Sequence, residues 1–142
     1  MSKWDQRMLD LAQQFATWSK DPSSKVGAVI VDSKRRVIGH GYNGFPRRIK
    51  DRPERYQDRA VKYPRVVHAE LNAILNAVLP RELEGSTLYV THPSCSECAK
   101  AIIQSGITRV VWPEPIDSEW YEAHGGAVAL EMFAEAGVEV GC

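Results

Sequence analysis

The chain has 142 residues, 44% of them apolar and 25% charged, with 18 basic and 18 acidic side chains. That suits one soluble globular domain, residues 1–142, and lacks the broad basic surface of a polynucleotide binder, so no nucleic-acid partner is expected. No apolar run approaches the length of a membrane span, no secretory leader is expected before the first helix, and three cysteines make no disulfide framework; a reducing cytoplasm fits, with no membrane partner.

Trp4, Met8, Leu11, Phe15 and Trp18 recur at spacings of four, three, four and three, one apolar stripe on a helix and expected to be core. Ser2 with Asp5 resembles a capping box that starts this helix near residue 3. Asp21-Pro22 ends it, because proline cannot donate the next helical hydrogen bond. Residues 26–31 are almost continuously apolar and read as a strand buried on both faces. A polar turn at Asp32-Ser33-Lys34-Arg35 returns the chain into a second strand, 36–40, making a hairpin. Gly41-Tyr42-Asn43-Gly44 then permits positive dihedrals and a sharp turn. It is either a plain turn or one that holds Asn43 at a strand end with its amide aimed at a sugar hydroxyl.

Residues 45–65 form a long insert broken by Pro46, Pro53 and Pro64, with neither Cys nor His and with room for a short helix at 54–62. Loops of this length inside compact domains are usually functional or disordered. The insert carries eight basic and three acidic residues, whereas residues 113–142 carry seven acidic residues and no Lys or Arg. The basic excess is enough for the phosphates of a nucleotide, although any single Arg there reads equally as part of a solvated loop. The two tracts are also candidates to pair between subunits.

His68 is expected to open a helix that Pro64 bars from starting earlier, with Leu71, Ile74, Leu75 and Val78 facing the core until Pro80. Gly85 leads into a third strand, 87–91. Pro93-Ser94 turns the chain into a second helix of this type, 95–105, capped by Gly106. A fourth strand follows at 108–112, then a last helix from 120 to 132 or beyond, irregular until after Gly125-Gly126, and a short strand at 138–140. Strands alternating with helices predict an α/β fold, a mixed sheet with helices on both faces.

Two stretches carry chemistry: His68-Ala69-Glu70 and Cys95-Ser96-Glu97-Cys98. Alone, the first reads as a surface histidine and the second as a redox pair or half of a structural zinc knuckle. Together they supply what a catalytic zinc needs: one nitrogen and two thiolates in a tetrahedron with one corner left open. Both lie at helix starts, where the dipole favours thiolate over thiol. Glu70, two residues from His68, can stand beside the metal without binding it and act as general acid and base; otherwise it is a carboxylate that merely suits a helix start. His92, three residues before Cys95, is the rival fourth ligand, and would close the site and make it structural. His40 and His124 have no partner pattern, and Cys142 reads as an incidental thiol.

Over residues 19–111 the sequence resembles the deoxycytidylate deaminases of the cytidine deaminase superfamily. The resemblance rests on Ser19-Lys20-Asp21-Pro22-Ser23-Ser24-Lys25-Val26-Gly27-Ala28, Gly41-Tyr42-Asn43-Gly44-Phe45-Pro46, His68-Ala69-Glu70-Leu71-Asn72-Ala73-Ile74 and Cys95-Ser96-Glu97-Cys98-Ala99-Lys100. It implies a three-layer α/β/α, cytidine-deaminase-like fold with a five-stranded mixed sheet. It implies hydrolysis of dCMP to dUMP and ammonia, feeding thymidylate synthesis, with one Zn2+ per chain on His68, Cys95 and Cys98 and Glu70 as proton shuttle. Asn43 is implied near the deoxyribose and backbone at Ala69 against the cytosine. Ser24 and Lys25 are candidates for the substrate phosphate, and Lys20, Arg47 and the Gly41-Tyr42-Asn43-Gly44 segment for an effector. Such enzymes are commonly homohexamers, activated by dCTP with Mg2+ and inhibited by dTTP. One departure stands out: Ser94 occupies the place directly before the first motif cysteine where the family usually has proline. The rival readings are another zinc deaminase, acting on free cytidine, guanine or a tRNA base, and a zinc-stabilised binding module without catalysis.

Overall fold

The computed structural model describes residues 1–114 and 118–141; Cys142 lies outside them. Five strands form one sheet in the order β2-β1-β3-β4-β5: β1 (Gly27–Val31), β2 (Val37–Tyr42), β3 (Thr87–Val90), β4 (Arg109–Val111) and β5 (Glu139–Gly141). β1 pairs antiparallel with β2 and with β3, while β3, β4 and β5 run parallel. The sheet is therefore mixed, a hairpin joined to two crossover units.

One face carries α1 (Lys3–Ala16), seated on Val29, Val31, Tyr89 and Val111. The other carries α4 (Ala69–Leu75), α5 (Ser96–Gln104) and α7 (Gly126–Ala136), packed on Ala28, Ile30, Leu88, Val90 and Val110. This is the three-layer α/β/α architecture with a five-stranded sheet. The insert folds into two short helices, α2 (Pro53–Gln57) and α3 (Arg59–Lys62), and α6 (Ser118–Ala123) precedes α7. Gly125, with φ of 76°, separates α6 from α7, which is the irregularity the glycine pair predicted. No helix among the described residues is long and apolar enough to cross a membrane.

The capping box is present as read: Ser2 accepts from the Asp5 N–H and the Asp5 carboxylate accepts from the Ser2 N–H. The aromatic stripe sits differently. α1 buries Asp5, Met8, Leu9, Ala12 and Ala16, while Trp4, Leu11 and Phe15 lie at the rim and Trp18 is 54% exposed. The reason is closeness: a Cβ on Gly27 would overlap the Ala12 carbonyl, so only Ala and Gly fit where helix meets strand.

The same correction applies to α4. Its buried face is Ala69, Glu70 and Ala73; Ile74 is half-buried, and Leu71, Leu75 and Val78 are exposed. α4 lies against Gly39 and Gly41 of β2, where an added Cβ would stand 2.6 Å from the Ala73 carbonyl oxygen and 2.5 Å from the Ala73 nitrogen. Gly41 and Tyr42 thus belong to the strand. The positive-φ glycines are 85, 106, 125 and 137, not 41 or 44, so the expected sharp turn is an extended exit from β2. Gly44 bridges to Val67 and delivers the chain to the start of α4.

Candidate metal centre and active site

His68 is the N-cap of α4 and Cys95 the N-cap of α5, so the two motif stretches meet where two neighbouring helices begin. Each helix follows an extended residue with no side-chain cap, which leaves its first N–H groups without helical partners; the Ser96 N–H reaches the His124 carbonyl at 3.4 Å. The Nδ1 of His68 lies 3.3 Å from the Cys98 sulfur and 3.5 Å from the Cys95 sulfur, and the three donor atoms lie within 4.8 Å of one another. Around a tetrahedral zinc with bonds of about 2.0 to 2.3 Å, neighbouring donors stand about 3.4 to 3.8 Å apart. The donor set, soft thiolates with one imidazole, and its spacing fit zinc.

Electrostatics favour the ligand form. The hydrogen bond from Cys98 lowers the Cys95 thiol to about 4, opposed by burial and assisted by His68. The same bond, followed by burial, pushes the Cys98 thiol up. One proton is thus shared across the pair, and a cation replaces it on binding. The hydrogen bond with Cys95 raises the His68 pKa against the opposing effect of burial.

His92 is not a fourth ligand. It falls outside the donor group; its Nδ1 lies 3.3 Å from the Thr91 hydroxyl, and its ring meets Trp120 edge-on. His40 stacks on Phe15, and His124 Nδ1 contacts the Trp120 carbonyl oxygen. Among the described residues no fourth donor joins these three, which leaves a corner open, as a catalytic site requires.

Glu70 follows two residues after His68 and is 5% exposed. Burial raises its pKa, with the nearby His68 as the main opposing influence. A buried carboxyl whose neutral form is favoured by burial, next to the donor cluster in sequence, is placed for proton transfer. Ala69, fully buried at the first position of α4, contributes one of the unpaired N–H groups of that helix start.

The remaining candidates lie in the loop before β1, the β2 exit and the insert. Asn43 is buried, and its amide turns inward: Oδ1 accepts from the Val26 N–H at 2.9 Å, while Nδ2 donates to the Ser24 carbonyl at 2.8 Å and to Asp21 at 3.4 Å. It organises the loop before β1 instead of pointing at open space. Ser24 is half-buried in that loop; Lys25 is exposed and donates to the Ser19 carbonyl. Lys20 and Arg47 are exposed, Lys20 pairing with Asp51 at 3.1 Å. The effector candidates Gly41, Tyr42 and Gly44 lie along the β2 exit, with Tyr42 edge-on to Trp18.

One contact escaped the sequence reading. Asp21, fully buried, is paired with Lys62 of α3 at 2.6 Å, and Lys62 also donates to the Ser23 hydroxyl. Lys62 is close enough to His68 to disfavour its protonated form. As one of eight basic residues in the insert, nothing in the sequence marked it. The Ser94 hydroxyl, at the place where the sequence departs from proline, is fully buried beside Cys95.

Over residues 2–114 the chain matches the family model described as the cytidine and deoxycytidylate deaminase zinc-binding region. It is 43% identical over 143 residues to an uncharacterised deaminase of Aliivibrio fischeri, an alignment covering 99% of this chain and 93% of the relative. It is 38% identical over 141 residues to the deoxycytidylate deaminase of Homo sapiens, covering 96% and 77%. Among solved structures, the dCMP deaminase of cyanophage S-TIM5 in complex with dCMP and dUMP aligns with a TM-score of 0.76 at 25% identity, covering 100% of this chain and 99% of that one.

Proposed function

Because the chain belongs to the family defined by the cytidine and deoxycytidylate deaminase zinc-binding region, we propose that it is a hydrolase that converts dCMP and water to dUMP and ammonia. The observation that carries this is the meeting of His68, Cys95 and Cys98 beside a buried Glu70. The similarity to deoxycytidylate deaminases, and to a solved one holding dCMP and dUMP, supports the substrate.

His68, Cys95 and Cys98 hold zinc, which when bound supplies Lewis acidity that brings the pKa of water from 15.7 to about 7. Glu70 takes a proton from the attacking water and gives it to the ring nitrogen N3 of cytosine. It then takes the second proton, from the hydroxyl added at C4, and passes it to the amine as the C4–N bond breaks, so the same carboxyl serves as base and acid. Burial suits it to both, because a raised pKa brings its two protonation states closer in free energy at neutral pH. The Ala69 N–H, at a helix start with no helical partner, donates to the cytosine carbonyl. Lys62 on Asp21 ties the insert to the loop before β1.

The substrate phosphate is assigned to the loop containing Ser24 and Lys25, where charge-assisted donors suit a dianion. The deoxyribose is assigned to the neighbourhood of Asn43. Lys20, Arg47 and the β2 exit are assigned to an effector, dCTP with Mg2+ as activator and dTTP as inhibitor. The chain acts as a single domain, residues 1–142, in the cytoplasm, supplying dUMP for thymidylate synthesis. Assembly into a homohexamer is supported by apolar side chains left outside: Leu75 is 70% and Val78 81% exposed.

Turnover of dCMP, deoxycytidine and RNA by the purified protein, with and without dCTP and alongside metal analysis, tests the proposal. dCMP is expected to be preferred, with one zinc per chain. Preference for the unphosphorylated nucleoside would overturn the substrate, and zinc without turnover of any nucleotide would make the chain a binding module.

A further inference from the structure

α5 starts at Cys95 with no side-chain cap, so its first N–H groups need partners from outside the helix. One comes from far along the chain: the Ser96 N–H donates to the His124 carbonyl at 3.4 Å. His124 follows the last residue of α6, where carbonyls have run out of helical donors. Gly125 then takes a left-handed φ of 76° and turns the chain into α7. His124 is itself held, its Nδ1 against the Trp120 carbonyl oxygen at 2.7 Å and its ring stacked on Trp120 at 4.2 Å. Gly125 and Gly126 each answer a separate close approach. A Cβ on Gly125 would stand 2.7 Å from the Ser96 Oγ and 3.0 Å from the Ser96 Cβ. A Cβ on Gly126 would stand 2.4 Å from the ring of Tyr121, which is buried and meets Trp112 just past the end of β4.

We propose that the α6–α7 junction is a positioning element for the two cysteines, with the His124 carbonyl and the bare Cα of Gly125 setting where α5 begins. Ser96 lies between the junction and Cys95, and the Ala99 N–H donates to the Cys95 carbonyl at 2.9 Å in the first turn of α5. A shift of Ser96 therefore moves Cys95 and, one turn on, Cys98. His68 stands on α4 and does not move with them. The three donors fit one tetrahedron only while both helices keep their places. Outer partners of a metal site act in this way: they touch no metal, yet they fix its ligands. The inference rests on the assignment of His68, Cys95 and Cys98 as zinc ligands.

Gly125→Ala, the double variant Gly125→Ala/Ser96→Gly, Ser96→Pro and Gly137→Ala in the full-length protein test it. The readouts are zinc affinity in competition with a chelator, the absorption spectrum of the cobalt(II)-loaded protein, and the melting temperature of the metal-free protein. Thiolate-to-cobalt charge-transfer and ligand-field bands report how the sulfurs sit around the metal, which a loss of overall stability alone does not alter. Gly137 shares the left-handed backbone, with φ of 74° and nothing within 4 Å of an added Cβ, so Gly137→Ala gives the backbone penalty without the contact. Gly125→Ala is expected to bind zinc about tenfold more weakly and to shift the cobalt spectrum, and Gly137→Ala to do neither. Ser96→Gly removes the atoms that the new Cβ meets and should restore both readouts. Ser96→Pro suits the first helical position but deletes the N–H that His124 accepts. It should weaken zinc binding about fivefold, the size of one neutral hydrogen bond, and it decides the matter if Gly125→Ala does not fold. Wild-type zinc affinity and cobalt spectra in both Gly125→Ala and Ser96→Pro overturn the proposal. So does an equal loss in Gly137→Ala, or a Gly125→Ala defect that Ser96→Gly leaves in place. A wild-type protein that takes up neither zinc nor cobalt(II) would instead remove the ligand assignment itself, before any variant is compared.

Discussion

Lys62 reaches Asp21 at 2.6 Å with its side chain 10% exposed and that of Asp21 fully covered. The pair joins the basic insert to the loop that precedes β1. Asp21 also accepts from the Ser23 N–H and hydroxyl and from Asn43. A single buried carboxylate thus ties together the insert, the loop and the β2 exit.

Replacing Lys62 with Met should leave Asp21 as an uncompensated buried charge. Breaking such a pair from one side costs about 3 to 5 kcal/mol, measurable by urea denaturation, and Asp21→Asn in the same chain should recover part of it. The pH dependence has a definite sign. Burial pushes Asp21 up, but Lys62 and the Ser23 hydrogen bonds outweigh it, so its folded pKa lies below the ordinary 3.8. A depressed carboxylate contributes stability that is present above its unfolded pKa and lost as pH falls through the folded one. Wild type should therefore lose stability more steeply than Lys62→Met below 3.8. Parallel acid profiles would count against the pair.

Gly41→Ala tests how α4 is held. The new Cβ would stand 2.5 Å from the Ala73 nitrogen and 2.7 Å from the Ala69 carbonyl oxygen, both backbone atoms. The helix must move away, at a cost of about 3 kcal/mol typical of overpacking, and His68 and Glu70 move with it. Zinc affinity and melting temperature should fall together. Gly85→Ala is the contrast: its φ is 76° with nothing within 4 Å of the added atom. It should cost about 1 kcal/mol of backbone strain and leave zinc affinity unchanged.

These glycines also explain where sequence reasoning succeeded and failed. The cluster of His68, Cys95 and Cys98 was legible because metal chemistry restricts residue type and the spacing sets the geometry. The strands were legible because β1 is buried throughout. The helix faces were not. Large apolar residues at helical spacing mark a core face only where helix and sheet stand at ordinary distance. Here Ala12 and Ala16 meet Gly27, and Ala69 and Ala73 meet Gly39 and Gly41, so small residues take the interior and Trp18, Leu75 and Val78 are displaced outward. For the same reason the Gly-Tyr-Asn-Gly segment read as a turn, when Gly41 is there to admit a helix. Lys62 was hidden because a buried ion pair between residues 41 positions apart leaves no local pattern.

Apolar side chains face outward at the end of α4 and just beyond it. Leu75 and Val78, 70% and 81% exposed, lie near Leu71 and Leu79 in the chain, which are 37% and 41% exposed. Leu75→Glu with Val78→Glu should convert the proposed homo-oligomer to smaller species, as seen by light scattering on a sizing column. The monomer fold should survive, because neither residue is packed inside it. Unchanged mass would assign the patch no role between subunits.

Glu70→Gln separates the two jobs at the metal site. Gln preserves shape and removes the titrating group, so zinc content should match wild type while dCMP turnover falls by about 10² to 10⁴, the range of general acid–base catalysis. The variant should also be more stable at neutral pH, because burial penalises the charge that Glu70 carries and the amide has none. Cys98→Ser should behave oppositely, losing both zinc and melting temperature, since the metal's binding energy is part of folding energy. Chelation of wild type should reproduce the Cys98→Ser melting curve and leave it unaffected by further chelator. If Glu70→Gln instead lost its zinc, the carboxylate would be a metal ligand, the open corner would be filled, and Glu70 would have no proton to carry.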